Sequence, residues 1–156
     1  MSAATPLDDH HWMREAIALS RLCPPSEEAY SVGAIVVSAE GHEIAQGYSR
    51  ESDPKVHAEE SALSKIPSDH PGLRSATIYS TLEPCSQRAS RPRPCTQLIL
   101  DARIPRVVIA WREPSLFVAD CQGTELLRQA GVDVVELTEH AKDAKAVNAH
   151  LPISDP

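Results

Sequence analysis

Lys55-Val56-His57-Ala58-Glu59-Glu60 is the stretch around which the rest of this chain is organised. A second stretch, Thr81-Leu82-Glu83-Pro84-Cys85, follows later in the chain, and a further Pro94-Cys95 pair comes after it. Together these stretches contain one histidine, two cysteines and, at Glu59, a carboxylate that is not needed as a ligand. Imidazole and thiolate are the donors that zinc prefers, so the three stretches predict a metal site that the rest of the chain must assemble.

His57, Cys85 and Cys95 would give zinc three protein donors and leave one tetrahedral position open, which is the arrangement of a catalytic site. A closed structural zinc site is the alternative, and it requires a fourth ligand. Cys23 and Cys121 are the candidates for that ligand. Neither belongs to a closely spaced pair, and a closed site would leave Glu59 without a role, so the spacing favours the open, catalytic site.

Glu59 lies only two residues after His57, which restricts how the two side chains can face one cavity. On a regular helix, residues two apart point in directions that differ by about 200°. His57 and Glu59 can therefore meet only at the very start of a helix, where the entering backbone is not yet helical. Asp53-Pro54 just upstream fits this arrangement, because a residue before proline avoids helical geometry.

Glu59 is also the residue suited to move protons at this site. Two thiolate ligands donate charge to zinc and leave its water less acidic than three neutral imidazoles would, so a nearby base is needed. We expect Glu59 to take a proton from that water and to pass protons to a ring nitrogen and to a departing amine. The predicted reaction is therefore a hydrolytic deamination in which one residue shuttles the proton throughout.

Helical and β-strand periodicities alternate along the chain. Helices are predicted at about 8–21, 57–65, 95–101, 124–129 and 139–149. Strands are predicted at about 30–37, 43–48, 76–81, 106–110 and 132–137. The first two strands flank a turn at Gly41 and predict a hairpin, whereas the later alternation of strand and helix predicts parallel pairing. The fold class is therefore α/β, with three α/β/α layers around a mixed five-stranded sheet.

The chain has 156 residues, of which 42% are hydrophobic and 24% charged, as in an ordinary globular protein. We expect a single domain over 1–156, with a core at about 8–137, a C-terminal helix at 138–150 and a tail at 151–156. The net charge of −7 disfavours a broad contact with nucleic-acid phosphates, so a small molecule is the expected partner. No apolar run reaches the roughly 18–20 residues of a membrane span, and residues 1–9 lack the pattern of a secretion signal. We therefore expect a cytoplasmic protein that does not bind membranes.

The chain resembles a known family over roughly residues 10 to 137. The matching motifs are His57-Ala58-Glu59, Thr81-Leu82-Glu83-Pro84-Cys85-Ser86, Pro94-Cys95, the segment 104–110 and the segment 127–132. They resemble the deaminase domain of the bifunctional riboflavin-biosynthesis deaminase/reductase, within the cytidine deaminase-like superfamily. The resemblance implies that one Zn²⁺ is bound by His57, Cys85 and Cys95, that Glu59 shuttles protons, and that the protein forms a homodimer or higher homo-oligomer. Zinc-dependent deaminases in general combine such a ligand set with a glutamate, so the expected mechanism matches known chemistry.

Three segments depart from that family pattern, and they are the ones expected to face the substrate. Residues 29–31 are Ala-Tyr-Ser instead of Pro-Asn-Pro, the loop 86–94 is longer and lacks a histidine and a glycine, and 113–116 is Glu-Pro-Ser-Leu instead of Asp-Pro-Asn-Pro. The reaction type is therefore predicted to be retained on a small aminated pyrimidine. The substrate is expected to be cytosine-like or the diaminopyrimidine of the riboflavin pathway.

Several residues near these segments are candidates for substrate contact, and each has a structural alternative. Tyr30 is placed to stack on the ring or offer its hydroxyl, and Glu83 to orient the ring amine. Arg88, Arg91 and Arg93 either grip a substrate phosphate or lie in a solvated loop stiffened by proline. Trp111 either stacks on the substrate or packs at the sheet edge.

Two other functions are compatible with the zinc motif. A polynucleotide deaminase would act on flipped-out or single-stranded RNA or DNA bases, and the acidic net charge counts against it. A non-catalytic zinc-binding interaction module would have no use for Glu59, and the intact glutamate counts against that alternative.

Overall fold

The computed structural model describes residues 8–114, 116 and 121–152, and none of the helices within them is long and apolar enough to cross a membrane. The helices are α1 (Asp9–Ser20), α2 (Ala58–Ser64), α3 (Cys95–Ala102), α4 (Gly123–Gln129) and α5 (Ala141–Ala146). The strands are β1 (Gly33–Val37), β2 (Glu43–Tyr48), β3 (Thr77–Leu82), β4 (Arg106–Trp111) and β5 (Asp133–Glu136). Two 3₁₀ turns lie at Leu73–Ser75 and Thr138–His140.

The five strands form one mixed sheet in the order β2-β1-β3-β4-β5. Strand β1 is antiparallel to both β2 and β3, whereas β3, β4 and β5 run parallel. Helices α1 and α5 pack together against the sheet, and α2, α3 and α4 form the second helical layer. The predicted three-layer α/β/α fold, with an opening hairpin and parallel later strands, is thus confirmed.

Strand β1 begins three residues later than the sequence predicts, at Gly33 and not at Tyr30. Residues 30–32 are buried, as their apolar character predicts, but side chains satisfy their backbone groups. The Asn148 amide accepts from the backbone N–H of Ser31 at 2.7 Å and donates to its carbonyl, and Ser49 Oγ accepts from Val32 N–H at 2.9 Å. Side-chain partners therefore supplement backbone pairing here, of which the bond from the Ser49 N–H to the Val32 carbonyl oxygen at 3.0 Å remains.

The C-terminal helix is shorter than the predicted range 139–149. A 3₁₀ turn precedes α5, and α5 itself ends at Ala146. Asn148 lies just beyond the helix, where its side chain is fully buried against Ser31. The predicted tail at 151–156 is wrong at its first residue, since Leu151 is buried in the core, and residues 153–156 lie outside the described part of the chain.

Gly47 on β2 lets helix α2, which begins at the predicted metal ligand, lie directly on the sheet. A Cβ atom added at Gly47 would lie 2.5 Å from the backbone nitrogen of Ala62 and 2.7 Å from the carbonyl oxygen of Ala58. We expect Gly47→Ala to lower the free energy of unfolding in urea by about 3 kcal/mol, because backbone atoms cannot move aside as a flexible side chain would. Gln46→Ala on the exposed face of the same strand is the control, with an expected change within about 0.5 kcal/mol. An equal effect of both substitutions would contradict this explanation.

Candidate active site

His57 and Glu59 occupy the first turn of α2, as the sequence spacing requires. His57 is the N-cap residue and has extended backbone angles, φ −88° and ψ 160°. Glu59 is the second helical residue, and the carboxylate of Glu60 accepts from the backbone N–H of His57 at 3.2 Å. The change from extended to helical backbone lets both side chains face the same space, which a continuous helix would prevent.

The two cysteines approach His57 from different elements. Cys85 lies in the turn after β3, and Cys95 is the first residue of α3. The Nδ1 atom of His57 lies 3.6 Å from Cys85 Sγ and 3.4 Å from Cys95 Sγ. Zinc bonds to sulfur and nitrogen at tetrahedral angles place such donors about 3.5 Å apart. Both the donor types and their spacing fit zinc. Among the described residues, His57, Cys85 and Cys95 are the side chains that lie close enough together to hold a metal ion.

The cluster also favours a thiolate. Hydrogen bonds from the Cys95 thiol and from the His57 ring hold the pKa of the Cys85 thiol well below its usual value, against the opposing effect of burial. The backbone N–H of Cys95 adds a donor to Cys85 Sγ at 3.2 Å. The adjacent Cys85 sulfur and burial raise the pKa of Cys95. A zinc site requires both cysteines as thiolates, and a divalent cation bound between them would offset the repulsion between the two negative charges.

Glu59 is buried beside this cluster, with only 4% of its surface exposed. Its carboxylate faces Cys95 and lies 3.3 Å from the hydroxyl of Ser80 on β3. Burial raises the pKa of Glu59 above its usual value, although the charge of His57 acts in the opposite direction. A buried carboxyl group beside the metal donors is placed to accept and return protons.

A cavity of about 480 Å³ opens above the cluster, and its wall includes His57, Glu59 and Cys85. Tyr30 and Arg88, two of the predicted substrate contacts, also line it. The Tyr30 ring packs edge-on against Trp111 with centroids 5.8 Å apart, and its hydroxyl donates to the carbonyl of Pro114. The volume suits a small heterocyclic ligand.

Glu83 lines the cavity as well, but both of its carboxylate oxygens bind backbone groups. One accepts from the N–H of Glu113 at 3.0 Å and the other from the N–H of Thr124 at 2.8 Å. The side chain thereby ties the end of β4 and the start of α4 to the turn that carries Cys85. The structure thus gives the Glu83 side chain an anchoring contact with these two segments.

Three predicted substrate contacts, Trp111, Arg91 and Arg93, are not part of the described cavity wall. The Trp111 ring is covered by Tyr30 on one side, and the ammonium of Lys145 lies 5.5 Å from its centroid. Trp111 therefore packs against other side chains at the end of β4, which is the structural alternative to stacking on the substrate. Arg91 is paired with Glu60 and Asp53, at 3.0 and 2.7 Å, and so turns away from the cavity.

The other two cysteines lie outside the metal cluster and are half-buried. Cys23 contacts the carbonyl oxygen of Val32 at 3.5 Å, and Cys121 contacts that of Pro84 at 3.6 Å. Neither belongs to the three-donor group found among the described side chains, so the structure does not supply the fourth ligand of a closed site.

Glu113 is a cavity residue for which the sequence predicted no role, although it begins one of the three departing segments. It lies near Glu59, Glu83, Cys85 and Cys121. Burial is the main cause that raises the pKa of Glu113 to about 7, and the negative charges of Cys85 and Glu59 also raise it. A hydrogen bond from the Cys121 thiol acts in the opposite direction and lowers this pKa. Its neighbouring charges come from distant parts of the chain, so the sequence alone held no signal for this shift.

The raised pKa of Glu113 predicts a pH-dependent loss of stability. Because the folded-state pKa of about 7 exceeds the ordinary value of 4.5, the folded protein binds an extra proton between these values, and stability falls as pH rises through that window. At pH 8 the free energy of unfolding of Glu113→Gln, measured in urea, should therefore exceed that of the unmodified protein by at most about 3 kcal/mol. At pH 5 the gain should be much smaller. The gain should be largest after chelation, since a bound cation offsets the nearby negative charges.

Glu28→Gln is the matched control, because Glu28 lies at the same cavity with an exposed side chain. Its stability difference from the unmodified protein should be the same at pH 5 and pH 8. A pH-independent effect of Glu113→Gln would contradict the assignment of the raised pKa.

A family model described as the cytidine and deoxycytidylate deaminase zinc-binding region matches residues 6–111. The matched range contains all three donors of the metal cluster, the buried Glu59 and the turn between β3 and α3. It covers more than half of the chain.

Individual proteins are similar over nearly the whole chain. A Schizosaccharomyces pombe protein named diaminohydroxyphosphoribosylamino-pyrimidine deaminase is 38% identical over 151 residues, which are 94% of this chain and 37% of that protein. The structure of Acinetobacter baumannii RibD, form 2, superposes with a TM-score of 0.77 at 30% identity, over 90% of this chain and 38% of that one. The Aspergillus oryzae Rib2 deaminase in complex with DARIPP gives a TM-score of 0.69 at 25% identity, over 91% and 98% of the two chains. The chain spans about a third of the length of the curated relatives that it matches, 37%, 36% and 33% for three of them.

Proposed function

Because the chain belongs to the family of cytidine and deoxycytidylate deaminases with a zinc-binding region, we propose that it is a zinc-dependent hydrolytic deaminase. Its substrate is a small pyrimidine-type base, nucleoside or nucleotide that carries an exocyclic amine. Water adds to the carbon that bears the amine, the carbon–nitrogen bond breaks, and the products are a ring carbonyl and ammonia.

The observation that carries this proposal is the position of the buried Glu59 beside a three-donor cluster at the floor of a cavity. His57, Cys85 and Cys95 would hold the metal, and zinc bound there would lower the pKa of water and so supply a nucleophile. Glu59 accepts one proton from the attacking water and delivers it to the ring nitrogen, and it then accepts the second proton from the hydroxyl of the adduct and delivers it to the amine, which leaves as ammonia. Burial raises the pKa of Glu59 and so makes its carboxylate a better proton acceptor than an exposed one, which suits a single carboxyl that accepts and returns protons in turn.

The leading substrate candidate is a phosphoribosylated diaminopyrimidine, in line with the name of the Schizosaccharomyces pombe relative. Tyr30 and Glu83 both line the cavity, and we expect Tyr30 to contact the pyrimidine ring and the backbone of Glu83 to meet the ring amine. Arg88 lines the same wall, but its guanidinium is already paired with Glu60 at 3.0 Å. We therefore assign Arg88 to the shape of the cavity and not to a phosphate grip.

An ammonia-release screen tests the proposal. The purified, zinc-loaded protein is offered cytosine, cytidine, cytidine monophosphate, deoxycytidine monophosphate, guanine and the phosphoribosylated diaminopyrimidine, together with single-stranded RNA and DNA oligonucleotides. Release of ammonia from one of the small pyrimidines is the expected result. Release from the oligonucleotides alone would replace the proposal with a polynucleotide deaminase, and zinc binding without ammonia from any compound would favour a non-catalytic zinc module.

We also propose that the protein forms a homo-oligomer, as the family resemblance suggests. We further propose that it lies in the cytoplasm, because its four free cysteines suit a reducing compartment. Sedimentation velocity of the zinc-loaded protein tests the assembly, and a monomer at micromolar concentration would contradict it.

A further inference from the structure

An ionic cluster joins the start of α2 to the loop between the two cysteines. Arg88 Nη1 lies 3.0 Å from Glu60 Oε1, and Arg91 Nε lies 3.0 Å from Glu60 Oε2. Arg91 reaches Asp53 at 2.7 Å, and Arg88 Nη2 donates to the carbonyl oxygen of Lys55 at 2.8 Å. One carboxylate on the helix thus holds two arginines of the loop, and this cluster of Glu60, Arg88 and Arg91 is here termed the loop clamp.

Burial makes the central pair of the loop clamp costly to break. Only 3% of the Arg88 side chain is exposed, and 22% of the Glu60 side chain. Removing one partner of a buried ion pair leaves the other charge without compensation, which costs more than losing an exposed pair. The pair of Arg93 and Asp101 in the same region is of the exposed kind, with 63% and 41% of the side chains accessible.

The two ends of the loop are fixed without the clamp. Cys95 N–H donates to Cys85 Sγ at 3.2 Å, and Thr96 N–H donates to the carbonyl oxygen of Cys85 at 3.1 Å. Ser86 Oγ accepts from the backbone N–H of Gln122 at 2.9 Å. The cysteines therefore keep their positions through local bonds, whereas the middle of the loop, residues 87–91, depends on the arginine contacts.

The same middle segment forms one wall of the cavity, to which Gln87, Arg88, Ala89 and Ser90 all contribute. Ser90 Oγ accepts from the Arg88 guanidinium, so the segment is also braced internally. Glu60 is absent from the described cavity wall. An effect of Glu60 on substrate affinity would therefore have to pass through the arginines that it holds.

We propose that the loop clamp positions the segment 87–90 as a wall of the substrate cavity and thereby sets substrate affinity, while the metal cluster is held independently of it. Glu60 and Arg88 are positioning residues in this scheme. The part that concerns substrate rests on the proposed deaminase function, whereas the part that concerns the loop does not.

The test compares zinc-loaded Glu60→Gln, Arg88→Met and the double variant with Arg93→Met as matched control. Glutamine at 60 keeps an acceptor for the backbone N–H of His57 and removes only the charge, so α2 should still form. Amide hydrogen exchange is measured over residues 86–91, zinc content by mass spectrometry, and KM and kcat with the phosphoribosylated diaminopyrimidine of the screen.

The expected result is faster exchange in 86–91 and a KM about tenfold higher for Glu60→Gln and Arg88→Met, with kcat within about threefold and one zinc retained. The effect of the double variant should fall short of the product of the two single effects, because both single variants remove the Glu60–Arg88 pair. Arg93→Met should match the unmodified protein in every measurement. Unchanged exchange in 86–91, a fall in kcat with KM unchanged, or zinc loss in step with the loss of activity would each overturn the proposal. If no compound is deaminated by the unmodified protein, the deaminase function fails, and the exchange and zinc measurements still decide whether the clamp holds the loop.

Discussion

Replacing Glu59 by glutamine is expected to lower kcat by about 1000-fold while the protein keeps one zinc per chain. The general acid–base contribution of a positioned side chain is typically about 10²–10⁴-fold, and here one carboxyl serves every proton transfer. Glutamine has nearly the same shape, so it fits the buried space beside Ser80 and Cys95, but it cannot accept and return a proton. The metal donors are unchanged in this variant.

The measurement pairs turnover of the screened substrate with zinc content and a urea unfolding curve. Glu40→Gln, in the exposed turn between β1 and β2, is the control and should leave all three unchanged. Because burial raises the pKa of Glu59, its ionised form is disfavoured in the fold, and Glu59→Gln should be at least as stable as the unmodified protein when both are zinc-free. Turnover within tenfold of the unmodified protein would reject Glu59 as the proton carrier.

The fold could be predicted from the sequence wherever burial and hydrogen bonding follow local periodicity. The run 33–37 is buried at every position, as is typical of a central strand, and β2 alternates as a half-exposed strand does. Prediction was less accurate at residues 30–32, because Asn148 and Ser49 supply the hydrogen bonds that a neighbouring strand would otherwise give. Asn148 lies 117 positions from Ser31, and local sequence holds no sign of such a contact.

The metal cluster could be anticipated from its donor types and short motifs, although its donors lie 28 and 38 positions apart in the chain. Each donor lies at a helix start or tight turn, and the rule that residues two apart diverge on a helix already placed His57 before the first turn of α2. Substrate contacts were harder to predict, since they depend on which polar groups remain unpaired after folding. Arg91 and Trp111 are chemically suited to bind ligands, but Asp53, Glu60, Tyr30 and Lys145 occupy them.

Glu60 illustrates why sequence alone missed a part of the site. It follows Glu59 directly, and the two carboxylates are indistinguishable by composition. The helix turns their side chains apart, so that Glu59 is buried beside the cysteines and Glu60 meets the arginines of a loop 28 and 31 positions away. We propose that one of these adjacent glutamates carries protons and that the other holds the cavity wall, and only the three-dimensional positions of Arg88 and Arg91 separate these roles.

Replacing Cys95 by serine is expected to remove zinc and with it all turnover. Serine preserves the size of the side chain and the backbone N–H that reaches Cys85 Sγ at 3.2 Å, so the start of α3 should survive. A neutral hydroxyl is a far weaker zinc donor than a thiolate, and only two strong protein donors remain. Loss of an outer-shell partner alone costs roughly 10–100-fold in metal affinity, and loss of a ligand should exceed that range. Competition with a chromogenic chelator measures the affinity, and mass spectrometry after dialysis measures the zinc that remains.

Cys23→Ser and Cys121→Ser are the matched controls, because both thiols are half-buried and each contacts a carbonyl oxygen outside the cluster. They should keep one zinc with unchanged affinity, since a site with three protein donors leaves its fourth position to water and substrate. If either control lost zinc as Cys95→Ser does, a fourth cysteine ligand would close the site and the catalytic assignment would fail. If Cys95→Ser bound zinc as tightly as the unmodified protein, the metal would have to lie elsewhere. The three variants together therefore separate an open catalytic site from a closed structural one without any measurement of turnover.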